Sequence, residues 1–111
     1  MQRFFRLAEL EAERTASGKR YLEFLRVPAL STGIYVLPQE GLDQQTPHRQ
    51  DEIYYVVSGR ARMKITRDDQ APEDRLVVGG TVVFVEAGTE HRFHSIEEEL
   101  VVLVVFGPAE G

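Results

Sequence analysis

Pro47-His48-Arg49-Gln50-Asp51-Glu52-Ile53-Tyr54-Tyr55-Val56-Val57-Ser58-Gly59 sets two metal-ligating side-chain types beside a strand pattern and a turn pattern. Ile53 to Val57 is β-branched and aromatic throughout, the composition of a strand, and Ser58-Gly59 has the composition of the turn that closes one. His48 and Glu52 could converge on one ion from a single helical face, one turn apart, or from the ends of two strands joined by a tight turn. On one continuous strand, rising about 3.3 Å per residue, they could not. The β-rich continuation disfavours the helix, and with it a zinc-protease arrangement.

After Gly59 the chain alternates strictly: Ala61, Met63 and Ile65 on one face, Arg60, Arg62, Lys64 and Thr66 on the other. Period-two alternation is the mark of a half-buried strand, so an antiparallel hairpin turning at Ser58-Gly59 is expected. Upstream, Leu7 to Arg14 are strong helix formers punctuated by Thr15-Ala16-Ser17-Gly18, which suggests a short helix or an N-terminal arm. Tyr21 to Val27 and Gly33 to Leu37 read as strands stopped by Pro28 and Pro38. In Gln44-Gln45-Thr46-Pro47-His48 the even-numbered side chains share a face if the segment is extended. Asp68 to Asp74 reads as a solvated acidic loop. Short strands follow at Arg75 to Val78 and Thr81 to Val85, with His91 to Ser95 extended after the turn at Glu86 to Glu90. Leu100 to Phe106 is apolar almost without interruption, as in a strand buried on both faces. Many short strands with Gly and Pro turns argue for an all-β sandwich or barrel.

The His48 stretch resembles the first motif of the cupin family: Gly, five residues, His, one residue, His, three or four residues, Glu, six residues, Gly. His48 falls at the second His, Glu52 at the Glu and Gly59 at the last Gly. The second cupin motif is similar to Gly80 through Ser95, with Gly80, Gly88 and His91 in register. Thr46 stands at the first His position, Glu86 at a Pro position and Ser95 at an Asn position, and Gly41 lies one residue too close to Thr46. The resemblance implies a double-stranded β-helix, the cupin jelly-roll barrel, over residues 21–107 of a single domain, with residues 1–20 as the arm or short helix.

The bulk properties narrow the function classes. With 111 residues, 42% hydrophobic and 28% charged, one domain with one core is expected. The formal net charge of -5, with basic residues scattered, offers no footprint for nucleic acid or an anionic membrane. No Cys is present, which excludes disulfides and thiol nucleophiles and accords with a reducing cytoplasm. The N-terminal hydrophobic segment is too brief for a signal peptide. Phosphate loops, dinucleotide fingerprints and nucleophile elbows are also missing.

All 3 His lie in the two motif-like stretches. Two His and a carboxylate form the smallest set that holds a first-row ion with positions left open, and His48, Glu52 and His91 supply it. The resemblance implies a divalent ion (Fe, Mn, Ni or Zn) at these positions. Gln44, Thr46 and Tyr54 are expected to line the pocket, Tyr54 because it shares strand parity with Glu52. His94, an odd number of residues from His91, should face away. Glu86 and Asp51 read as turn and surface carboxylates. The leading expectation is a small cytoplasmic metal-dependent enzyme acting on a small organic molecule, with redox and Lewis-acid chemistry both open. The alternative is a metabolite-binding or sensor module without catalysis. A homodimer is expected in either case, since exposed sheet edges invite pairing and Tyr21 to Val27 could cover an edge of a second subunit.

Overall fold

In the computed structural model, which describes residues 1–109, one helix precedes six strands: α1 (Leu7–Ser17), β1 (Tyr21–Val27), β2 (Leu30–Leu37), β3 (Asp51–Thr66), β4 (Glu73–Val78), β5 (Val82–Val85) and β6 (Glu90–Gly107). The strands pair antiparallel in the order β1-β2-β6-β3-β4, with β5 also on β3. The all-β barrel expected from the sequence is thus present, with the N-terminal helix running to Ser17. It ends at Gly18, whose left-handed φ of 71° closes the last turn.

No hairpin turns at Ser58-Gly59: β3 runs through both residues and pairs with β6 from Asp51↔Gly107 to Thr66↔Glu90. The ladder instead slips at Val56/Ser58, Ser58/Arg60 and Arg60/Arg62, and Gly59 takes a φ of 104°. A Cβ on Gly59 would lie 2.3 Å from the carbonyl oxygen of Glu99. Glycine is therefore required here by backbone approach within a bulged strand, a need that looks like a turn in sequence because both use the same residue. The bulge is where β3 exchanges neighbours: Glu52 to Tyr55 pair with β5, and Arg60 to Ile65 pair with β4.

Alternation along β3 sends Glu52, Tyr54 and Val56 inward, and beyond the bulge Ala61 and Met63. These meet Leu37, Val77, Val85, Phe93, Ile96, Leu100, Val102, Val104 and Phe106 in the main core. The apolar run Leu100 to Phe106 is covered on both sides, as its composition requires. Its even-numbered residues face the barrel, while Val101 packs outside with Ile34, Val36 and Leu10 of α1. Tyr21 to Val27 pairs with β2 of its own chain, with a bulge between Glu23 and Leu25. No helix is long and apolar enough to cross a membrane among the described residues.

Two glycines separate the demands of φ from those of space. Gly80 has a φ of 95° with nothing within 4 Å of an added Cβ, whereas Gly59 has both the positive φ and the clash. Denaturant unfolding should show Gly80→Ala losing about 1–2 kcal/mol and Gly59→Ala about 3 kcal/mol or more. Equal losses would mean that the β3 bulge does not depend on close approach.

Candidate metal centre

His48 lies in the connection between β2 and β3 and is held there by the backbone. Its carbonyl accepts from the Gly88 N–H at 2.7 Å, and Asp51 Oδ1 accepts from the Ala87 N–H at 2.9 Å. These bonds tie the approach to β3 onto the turn before β6. They bring His48 close to His91, the first inward-facing residue of β6, with ring centroids 5.9 Å apart. Glu52, opposite Val85 of β5 and Phe106 of β6, lies between them.

Glu52 Oε1 is 3.7 Å from His48 Nε2 and 3.6 Å from His91 Nε2. One ligand atom from each of the three residues lies within 4.8 Å of the others. His48 and Glu52 therefore meet because β3 begins only at Asp51, with His48 in the loop before it.

The hydrogen bonds define the state of His91. Its Nδ1 is 2.8 Å from the Thr89 carbonyl oxygen, which can only accept, so Nδ1 carries the proton. In the neutral ring Nε2 then has a lone pair directed at Glu52 and at the Tyr54 hydroxyl, 2.8 Å away. Orientation of one imidazole nitrogen by a backbone carbonyl is the usual support for a metal-ligating histidine. Tyr54 also donates to Gln45 Oε1 at 2.9 Å. Its single proton cannot satisfy both acceptors. A cation held by both His91 Nε2 and Glu52 would withdraw these two acceptors and leave that proton to Gln45, so the donor set fits a bound ion.

Gln45 and Asp43 are the residues that sequence reasoning missed. Gln45 Nε2 donates to Asp43 Oδ2 at 2.9 Å, which fixes the amide with its oxygen toward Tyr54. Asp43 in turn accepts from Tyr35 Oη at 2.8 Å and from the Phe93 N–H at 2.8 Å. The only signal in the sequence was an acid and an amide two residues apart in an irregular segment, a pattern shared by most loops. Gln44 and Thr46, read as pocket residues, are both exposed and line a cavity together with His48, Tyr21 and Phe106. Tyr54, fully buried, lies beside the His/Glu/His cluster rather than on that cavity.

Three other expectations can be located. His94 points away from the barrel, its Nε2 3.0 Å from Asp74 Oδ1. Asp51 caps the turn at Ala87, and Glu86 pairs with Arg67 on the surface. None of these reaches the cluster. Burial raises the Tyr54 phenol far above its ordinary range, with the Glu52 charge and hydrogen bond adding to the effect. Tyr35 is raised by burial and then by Asp43.

An antiparallel barrel with a His/Glu/His cluster at the meeting of two pinned loops defines a class, and the chain belongs to it: the cupin domain family matches residues 33–106. A relative 51% identical over 106 residues, covering 96% of both chains, is the uncharacterized protein SCO3923 of Streptomyces coelicolor. Among solved structures, BH2720 of Bacillus halodurans is similar at a TM-score of 0.77 and 18% identity, over 99% of this chain and 84% of that one. The iron(II) form of HppE is similar at a TM-score of 0.64 and 21% identity, over 78% of this chain and 49% of that one. At these identities the solved structures show the shared fold.

Both raised phenols have a measurable consequence. The folded state keeps protons on Tyr35 and Tyr54 that the unfolded chain releases above pH about 10, so stability is lost as pH rises past that value. Phenolate absorbance near 295 nm should therefore report fewer than the 4 tyrosines until the protein unfolds. Full ionisation of all of them in the folded state would contradict the buried network.

Proposed function

We propose that this cupin binds one divalent first-row metal ion through His48, Glu52 and His91 and acts as an enzyme on a small organic molecule. The observation that carries this reading is the convergence of the three ligand atoms within 4.8 Å. The description of HppE as an iron(II) protein supports iron as one candidate, beside Mn, Ni and Zn. When bound, such an ion supplies Lewis-acid polarisation or a place for redox chemistry.

The chain's own residues do the rest. Thr89 holds the His91 ring in the tautomer that presents Nε2. Asp43 holds Gln45, whose Oε1 accepts the Tyr54 hydroxyl hydrogen bond and orients the phenol oxygen beside the reacting centre, while burial and the Glu52 charge keep that phenol neutral. Phe106, packed on the His48 ring at a centroid distance of 4.9 Å, limits water on that side. A binding module without turnover is the second reading, favoured by Thr46 at the position where the family motif has its first His. Loss of a ligand weakens a site more than it alters the pocket.

Calorimetry with Mn, Fe, Ni and Zn salts, beside elemental analysis of the purified protein, tests the metal. His48→Ala, Glu52→Ala and His91→Ala should each weaken binding by at least about 100-fold, and Thr46→His should tighten it. Variants that bind as the wild type does would remove the metal reading. Stoichiometric metal without turnover of any candidate substrate would favour the binding module.

We propose further that the protein works as a homodimer. Ile53 and Phe84 are cross-strand partners, as are Tyr55 and Val82, and all four side chains are 42–63% exposed on one outer face. Leu76 and Val78 of β4 are also exposed. These apolar side chains lie together on a face that nothing covers among the described residues, the kind of patch that marks an interaction surface, and a second copy covers it without new chemistry. Sedimentation velocity at micromolar concentration should show a dimer for the wild type and a monomer for Phe84→Glu; a monomeric wild type would reject the proposal.

A further inference from the structure

The side chains of His48, Glu52 and His91 are 19%, 1% and 0% exposed, so the cluster opens outward past His48. On that side lies a cavity of about 310 Å³ whose walls are Tyr21, Tyr35, Val104 and Phe106. This is near the lower end of the range for small-molecule pockets, about 300–1,000 Å³. Its aromatic surface is continuous with the site: the Phe106 ring contacts the His48 ring and stands edge-on to Tyr21, which stands edge-on to Tyr35. The sequence makes room for this wall. The Tyr21 ring lies over Gly33, where an added Cβ would come within 2.4 Å of the ring carbons.

Charge is distributed unevenly around the site. Among the described residues, none lining this cavity carries a formal charge at neutral pH apart from the titratable His48; the rest of its polar surface comes from Gln44, Gln45 and Thr46. Lys64, Glu90 and Arg92 line a different cavity, on the His91 side of the glutamines. With no ion at the cluster, a carboxylate placed against the aromatic wall would lose water without gaining a cation, which is costly. Flat rings, in contrast, pack well edge-on and offset against Phe and Tyr.

We propose that the ligand of this cavity is a small, uncharged, flat ring compound bearing a hydroxyl group, with its ring against Tyr21, Tyr35 and Phe106 and its hydroxyl toward His48. The orientation rests on reading His48, Glu52 and His91 as the metal centre; the shape and charge of the ligand rest on the cavity alone.

Two probes that share a methyl-substituted ring separate these elements: neutral 4-methylphenol and anionic 4-methylbenzoate, titrated by ligand-observed NMR into the protein, as purified and after chelator treatment. After chelator treatment the wild type should bind the phenol at least about tenfold more tightly than the benzoate. Thr46→Lys, an exposed loop change, should narrow that preference to less than about threefold by placing a cation at the mouth. Gly33→Ala should abolish phenol binding by displacing the Tyr21 ring, with circular dichroism checking that it is folded; if it is not, the Thr46→Lys comparison decides. Equal or tighter binding of the benzoate by the chelated wild type, or no binding of either probe, overturns the proposal. Loss of the metal reading with the phenol preference intact leaves the ligand class standing, and the reverse result removes the ligand class while keeping the metal.

Discussion

The pairing of β3 with β6 is the constraint from which the other strands take their places. Asp51 to Val56 of β3 run along the C-terminal half of β6, and Arg62 to Thr66 run along its N-terminal half. β2 joins the free side of the C-terminal half of β6 and β1 joins β2, while β5 and β4 divide β3 between them. A single ribbon can serve both halves only if it bends, and the bulged stretch around Gly59 supplies the bend. There the glycine lets β3 come against the backbone at Glu99 and Leu100, where any side chain would collide.

The same ribbon sets the chemistry. Because β3 and β6 are antiparallel and in register at Glu52↔Phe106, the carboxylate that starts β3 lies beside the aromatic that ends β6. His91, at the opposite end of β6, reaches the same place because the barrel curls. Burial then acts on the polar groups collected there. Glu52, Tyr54 and His91 are all at most 3% exposed, and groups removed from water to that degree need partners. The chain supplies them through Thr89, Gln45 and Asp43, and a cation held at the cluster would remove the competition for the single Tyr54 proton. The support thus extends three residues beyond the candidate ligands themselves, from Tyr54 to Gln45 to Asp43, whose carboxylate is fixed by a β6 backbone N–H.

The two outer faces of the barrel are treated differently. Over β2 and β6, α1 lays Leu10 on Ile34, Val36 and Val101, with Phe5 and Phe24 packed at its margin. The face built from β3 and β5 has no such cover among the described residues, and its cross-strand apolar pairs meet solvent. A helix of 11 residues is too short to protect both.

Strand composition and period alone determined the all-β class, the shared face of Glu52 and Tyr54, and the double burial of Leu100 to Phe106, since these depend on which side chains tolerate a pleated, buried surface. The three candidate ligands were legible too, because so few His occur and their spacing matches a known motif. What Ser58-Gly59 does was decided by tertiary structure: glycine permits both a tight turn and a bulge, and only the approach of Glu99 distinguishes them. Gln45 and Asp43 were invisible for a related reason. Their role comes from side-chain bonds to Tyr54, Tyr35 and Phe93, residues separated from them in sequence or placed on other strands, and no local pattern encodes a contact that exists only once the barrel closes.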